Sequence, residues 1–301
     1  MTTEKNKVEL FLDSGAYSAW SQGSPIDINN YIDFIKENID VIDVYANLDV
    51  IGSAEGTWNN QRIMEKAGLS PLPCFHYGED IKWLNRYLNK GYDYIALGGM
   101  VPISTKDLTF WLDDMFSKHL CDSKGLPKVK VHGFGLTSLP LLLRYPWWSV
   151  DSTSWVVTGR MGSIYIPRKK AGKWAYNENP WKVAVSNRSP NKKEAGQHID
   201  TMTPGEKEIL LSYIHEKGYQ LGESRFHKED QTYELKENEK WAQKKPENKS
   251  AKREVETMIT LGISNRYQLR DEMNIIYFLD LEKSMPEWPW AFKIEQHGLF
   301  E

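Results

Sequence analysis

The residues of this chain best suited to chemistry stand where apolar runs stop. Asp13 follows Val8, Leu10, Phe11 and Leu12, and Asp49, His76, Gly98-Gly99, Gly133-Phe134-Gly135 and Asp151 close further apolar stretches. Carboxylates at the ends of buried strands are placed to meet a ligand, so Asp13, Asp49 and Asp151 are catalytic or binding candidates, while Gly15 lets the backbone turn tightly beside the first. The segment Asp13-Ser14-Gly15-Ala16-Tyr17 equally suits a turn with a solvated carboxylate. His76 reads either as a ligand-facing group or as a hydrogen-bonded strand-end histidine.

Positioning these groups requires a repeated element pattern. Strands are expected at Val8 to Leu12, Val41 to Leu48, Leu72 to His76, Tyr94 to Leu97, Val129 to Phe134 and Trp148 to Val150. Between them, Ile28 to Asn38, Trp58 to Ala67, Ile81 to Lys90 and Thr105 to Lys118 have helical apolar spacing, and Leu139 to Leu143 is a shorter helical turn. Asp27, Thr57, Asp80 and Ser104 stand where N-caps belong, and Gly68 and Gly91 where two helices stop. Strands alternating with helices imply parallel pairing. Because nearly every strand ends on a polar residue or glycine, a TIM-type (β/α)8 barrel, which gathers all strand ends at one mouth, is favoured over a doubly wound sheet with its single crevice. No GxGxxG or GxxxxGK[ST] motif occurs, which argues against dinucleotide or P-loop chemistry.

After Asp151 the texture changes. Ile164 to Pro167, Lys173 to Tyr176 and Trp181 to Ser186 read as short antiparallel strands, with Lys170-Ala171-Gly172-Lys173 as a hairpin turn. From Arg160 to Lys193 nine basic residues face one acidic residue, Glu178, in a chain whose net charge is -3. Arg160, Arg168, Lys169, Lys170, Lys173, Lys182, Arg188, Lys192 and Lys193 interleave with Trp174, Tyr176 and Trp181, a pattern suited to a polyanion and also to a solvated face. Helix is expected from Pro204 to Lys217 behind the cap Thr203, a mobile charged excursion over 223 to 253, helices over Lys252 to Leu261 and Tyr267 to Lys283, and a Pro/Trp-rich segment packed on the barrel from Met285 to Phe292. The expected organisation is therefore residues 1–162 as the first part of the barrel, 163–200 as a basic antiparallel insertion, and 201–301 as C-terminal helical segments.

Composition bounds the partners. At 301 residues with 40% apolar and 26% charged side chains the chain is of ordinary globular type. It is no polycation, so a nucleic-acid surface must be local. The N-terminus lacks the apolar core of a signal peptide and no run approaches a membrane span, so a cytoplasmic protein is expected. Cys74 and Cys121 lie in no CxxC pairing, which excludes a Cys-rich zinc site. Both read as buried thiols, and no metal ligand is assigned.

Asp13-Ser14-Gly15-Ala16-Tyr17 resembles the Asp-Ser-Gly-Gly-Phe signature of the tRNA-guanine transglycosylase superfamily. Asn47-Leu48-Asp49, Leu97-Gly98-Gly99, Gly133-Phe134-Gly135, and Val150-Asp151 ahead of Thr158-Gly159-Arg160-Met161-Gly162 follow in that family's order. The resemblance covers about residues 8 to 165. The tRNA members carry a Cys-rich zinc subdomain that this chain cannot build, and their chains run considerably further upstream of the first aspartate. The compact form looks most like the phage-associated, DpdA-like branch that inserts deazaguanines into DNA.

That resemblance implies a pentosyltransferase that exchanges guanine in DNA for a free 7-deazaguanine base such as 7-cyano-7-deazaguanine, without a cofactor. By the same carry-over Asp151 is the nucleophile that forms a glycosyl-aspartate, and Asp13 is the general acid and later the base. Asp49, His76, Gly98 and Gly99 would recognise the base, with Tyr17, Phe134 and Gly133 around it. Arg160, Arg168, Lys169, Lys170 and Lys173 would bind phosphates. Asp151 must then stay ionised while Asp13 holds a proton, so their surroundings must separate the two pKa values. Exchange on tRNA, simple hydrolysis of the glycosidic bond, and a non-catalytic nucleic-acid-binding barrel are the competing expectations.

Overall fold

The computed structural model describes residues 9–136, 138–189, 196–248 and 250–293. The chain forms two compact units, residues 1–152 with 286–301, and residues 153–285. Among the described residues no helix is long and apolar enough to cross a membrane.

The first unit is α/β. Its strands are β1 (Phe11–Leu12), β2 (Val44–Tyr45), β3 (Cys74–His76), β4 (Tyr94–Gly98), β5 (Lys130–Gly133) and β6 (Ser149–Val150). Each strand pair is parallel, in chain order: β1 with β2, then β3 through β6, with a parallel bridge between Ala46 and Leu72 joining the two groups. The sheet curls strongly. In a flat sheet β1 and β5 would lie roughly 19 Å apart, four strand spacings, yet the rings of Phe11 and His132 stack with centroids 4.4 Å apart. Phe11, Val44, Leu72, Cys74, Tyr94, Ala96 and Phe134 fill the inside of that curve. No pairing joins β6 back to β1 among the described residues. The alternation expected from the sequence is therefore present as six parallel strands, without a closed ring of eight.

Local sequence explains the helices between these strands. α1 (Ala16–Ser21) begins on the left-handed Gly15, and α2 (Ile28–Glu37) on Asp27, whose carboxylate accepts from the amides of Asn29 and Asn30. Tyr31, Ile32 and Ile35 of α2 pack with Tyr45, Leu48 and Met64. α3 (Ala54–Lys66) starts one turn earlier than the apolar spacing suggests: Ser53 is its cap, accepting from Gly56, and Thr57 instead accepts from the Val50 amide inside the fold. α4 (Lys82–Lys90) ends on Gly91 in the left-handed region, as read, and Asp80 accepts from the Lys82 amide at its start. α5 (Thr105–Asp114) is capped by Ser104 and runs on as a π-helical turn, Met115–Leu120. α6 (Leu139–Arg144) completes the set. The Pro/Trp segment packs on this unit, with the Trp288 indole donating to the Pro146 carbonyl and the Phe292 amide to that of Gly125.

The second unit opens with α7 (Ser154–Arg160) and continues as β7 (Ser163–Ile166), β8 (Arg168–Lys170), β9 (Lys173–Ala175) and β10 (Trp181–Ala184). β7 pairs antiparallel with β10 and β8 with β9. The expected hairpin turn is there: Ala171 and Gly172 both have positive φ, the conformation of a two-residue turn that follows strand twist. α8 (Pro204–Glu216) starts on Thr203 with a reciprocal bond from Glu206. Beyond it the sequence expectation fails. Residues read as a mobile excursion and a helix form a three-stranded antiparallel sheet, β11 (Glu223–Glu229), β13 (Arg253–Thr260) and β12 (Glu239–Trp241), with β13 central. Charge density hid these strands because some of their charged side chains are buried and paired. Glu256 is fully buried and held by Ser224 and Lys240, and Glu239 accepts from Tyr233 and Thr257. α9 (Tyr267–Ser284) closes this unit, Asn274 bonding to the backbone of Trp155 and Tyr165.

Candidate active site

Asp151 follows β6 and is held by its neighbour strand. The Gly135 amide donates to Asp151 Oδ1 at 2.7 Å, and His132 Nε2 lies 3.6 Å from the same oxygen. His132 is 2% exposed, stacked on Phe11, and its Nδ1 is 2.6 Å from Ser149 Oγ, which is 2.6 Å from Tyr94 Oη. Donation from Tyr94 O–H to Ser149 and from Ser149 O–H to His132 Nδ1 puts the ring proton on Nε2, which faces Asp151 at 3.6 Å without reaching hydrogen-bond distance. Crowding alone would raise the Asp151 pKa, but the His132 ring and the Gly135 amide outweigh it, so the carboxyl lies below its ordinary value. Asp151 is thus a carboxylate kept ionised while still solvent-accessible.

Asp13, just past β1, is displaced the other way. Desolvation raises its pKa, and the negative charges of Asp151 and Asp49 raise it further, against a weak bond from the Gly15 amide at 3.4 Å. The phenol of Tyr31, which donates to the Ala46 carbonyl, is pushed up by burial and then by Asp13 and Asp49. Asp13 therefore feels the charges of Asp49 and Asp151, the three carboxylates following β1, β2 and β6 in turn. Two carboxylates with oppositely displaced pKa values are the arrangement of an acid and a nucleophile.

Asp49 belongs to a second cluster. His76 Nε2 is 3.2 Å from Asp49 Oδ2 and 3.5 Å from Cys74 Sγ, while Nδ1 is 3.2 Å from Glu79 Oε1 and the His76 amide donates to Glu79 Oε2. Burial works against an imidazolium here, but the neighbouring thiol and the carboxylates on both sides overcome it, and His76 is held well above the usual histidine range. Burial pushes the Cys74 thiol up to about 12. Ligand atoms of Asp49, Cys74 and His76 lie within 4.8 Å of one another, a donor set of the zinc type, so these three could hold a cation in place of the shared proton. Asp49 Oδ1 is buried without a hydrogen-bond partner.

The remaining sequence candidates divide. A Cβ on Gly98 would lie 2.8 Å from His76 Cδ2 and 3.1 Å from Cys74 Sγ, so this glycine makes room for the His76 ring; Gly99, at φ +68°, is exposed beside it. Phe134 packs edge-on against Phe11 and His132, and Gly133 lies against Trp147, so both support the His132 wall. Tyr17 is exposed on α1 with its ring against Trp20. Arg160, Arg168, Lys169, Lys170 and Lys173 belong to the second unit. There Arg168 lies over Trp181, Lys169 over Trp174, and Lys170 pairs with Glu178. Lys192 and Lys193 fall outside the described residues.

His132, Ser149, Tyr94, Cys74 and Glu79 were not anticipated. The signal was present for two of them, since His132 is two residues before Phe134 and Ser149 two before Asp151, and residues i and i+2 of a strand share a face. Compared with protein-family models, with curated proteins and with solved structures, the chain matches none.

Proposed function

We propose that the protein exchanges guanine in DNA for a free 7-deazaguanine base, with the six parallel strands as the first part of an eight-stranded barrel. The observation that carries this reading is the pair of carboxylates, Asp151 held below and Asp13 above the ordinary carboxyl value. An Asp151 oxygen attacks the anomeric carbon as its bond to guanine N9 breaks, the electron pair leaves with guanine, and Asp13 delivers a proton to the departing base. Asp13, now ionised, takes the N9 proton of the incoming deazaguanine, whose nitrogen attacks the same carbon and releases Asp151. The two steps balance, and the sugar keeps its configuration.

In this reading the Asp49 carboxylate, one oxygen of which is fixed by His76, accepts from the N1–H and exocyclic amine of a guanine-type base once a side-chain movement uncovers it. A base in a duplex cannot enter such a site, so the nucleotide must be flipped or single-stranded, at a cost of a few kcal/mol. In this reading Arg168, Lys169, Lys170 and Lys173 of the second unit bind phosphates of the polymer. The test is incubation with labelled guanine and either DNA or tRNA. Label entering DNA supports the proposal, label entering only tRNA transfers the chemistry to the other polymer, and abasic sites without incorporation replace exchange by hydrolysis. A denaturation-resistant protein–DNA adduct that disappears in Asp151→Ala identifies the nucleophile.

A further inference from the structure

The second unit contains a cavity of about 440 Å³ whose walls include Arg160, Arg188, Lys240, Arg270, Ser186 and Tyr267. Four cations meet there, and no described carboxylate lines the cavity. Two acids accompany these cations: Glu256, fully buried, is 3.4 Å from Lys240 Nζ, and the charges of Arg160 and Arg270 act on Asp271.

The cations differ in how firmly they are held. Arg270 is 95% buried, being 5% exposed, and donates through Nε to the Gly159 carbonyl and through Nη1 to that of Ile263, both at 2.6 Å. No described residue accepts from its Nη2. Lys240 donates to the Asn265 carbonyl at 2.6 Å. Arg160 and Arg188 are exposed, and no described carboxylate pairs with either. Burial lowers the pKa of Lys240, and the neighbouring Arg188 and Arg270 add to that against Glu256. Arg160 and Arg188 are solvated while Lys240 and Arg270 are held by backbone carbonyls and Glu256, so the cavity presents two exposed and two fixed cationic groups to one space, a surface complementary to an anion.

We propose that this cavity binds the phosphate of a nucleotide. The volume is that of a small-molecule site, guanidinium groups match phosphate oxygens in pairs, and the exposed Tyr267 and Met161 at its edge offer flat apolar surface to a base or sugar. A free mononucleotide and a residue within a strand present the same phosphate chemistry. The site stands on residues of the second unit alone and is independent of base exchange.

Calorimetry on the full chain at fixed ionic strength tests it with three probes: inorganic phosphate, deoxyguanosine 5′-monophosphate, and a single-stranded oligodeoxynucleotide without terminal phosphates. Saturable binding of phosphate is expected, weakened about tenfold or more by Arg188→Gln and by Arg160→Gln, since a charge-assisted bond contributes about 1.5–3 kcal/mol. Lys228→Gln, an exposed charge on β11, should leave phosphate binding unchanged. Stronger binding of the mononucleotide with no displacement by the oligonucleotide assigns the phosphate to a free nucleotide; displacement by the oligonucleotide assigns it to a strand. Absence of saturable phosphate binding, or equal binding in wild type, Arg188→Gln and Arg160→Gln with all three folded by circular dichroism, overturns the proposal. Loss of base exchange with phosphate binding intact would count against the catalytic reading alone.

Discussion

The two units gather opposite charges by different means. In the first, Asp13, Asp49, Glu79 and Asp151 come together because parallel strands in chain order end at one side of a curled sheet, so residues close to strand ends become neighbours. In the second, Arg160, Arg188, Lys240 and Arg270 come from a helix end, a loop, an antiparallel strand and a second helix. A strand-end site follows from a repeating pattern. A site assembled from unlike elements does not, which is why the acids were legible and most of the cationic cavity was not.

Breaking the acidic side should have the largest effect. Asp151→Asn is expected to lower guanine exchange by on the order of 10⁴-fold or more, as loss of a covalent nucleophile does, without unfolding, because the side chain is 44% exposed. Single-turnover incorporation of labelled guanine measures it. Asp13→Asn should cost roughly 10²–10⁴-fold, the range for general acid–base groups, and should reshape the pH profile. The proposed exchange requires Asp151 ionised and Asp13 protonated. The acid limb should therefore fall below the ordinary carboxyl range and the alkaline limb above it, and only the alkaline limb should vanish in Asp13→Asn.

Smaller changes sharpen the contrast. His132→Phe keeps the stack on Phe11 but removes the N–H directed at Asp151. The acid limb should move to higher pH and the rate fall by about tenfold, while an unmoved limb would show that His132 only packs. Gly98→Ala places a methyl 2.8 Å from the His76 ring, so thermal unfolding should report a loss of about 1–3 kcal/mol together with weaker base binding. On the basic side, changing Lys169, Lys170 and Lys173 together to Gln should weaken polynucleotide binding and flatten its logarithmic salt dependence by about two, each lost phosphate contact accounting for roughly 0.9. The full three contacts are not expected, since Lys170 is already engaged by Glu178. Binding unchanged across salt would remove the ribbon from the interface.

Much of the first unit was readable because its signals are local. Asp27 and Ser104 cap the helices they precede, Gly91 stops α4, and the six apolar runs through Val150 became six parallel strands. Thr57 misled because a threonine serves a buried backbone amide as well as a helix start. The sheet of β11, β12 and β13 was lost for a related reason, since Glu239 and Glu256 read as solvated charge until their partners, up to 32 residues away, are in place.

By itself the sequence determined the order of strands and helices and the appearance of aspartates at strand ends, because capping and periodicity act over a few residues. Only the tertiary structure decided that the Asp151 carboxyl lies below and the Asp13 carboxyl above the ordinary value. That depends on sheet curl setting Phe11 against His132, on the Gly135 amide reaching Asp151, and on mutual repulsion at Asp13, all governed by distances that no local pattern encodes.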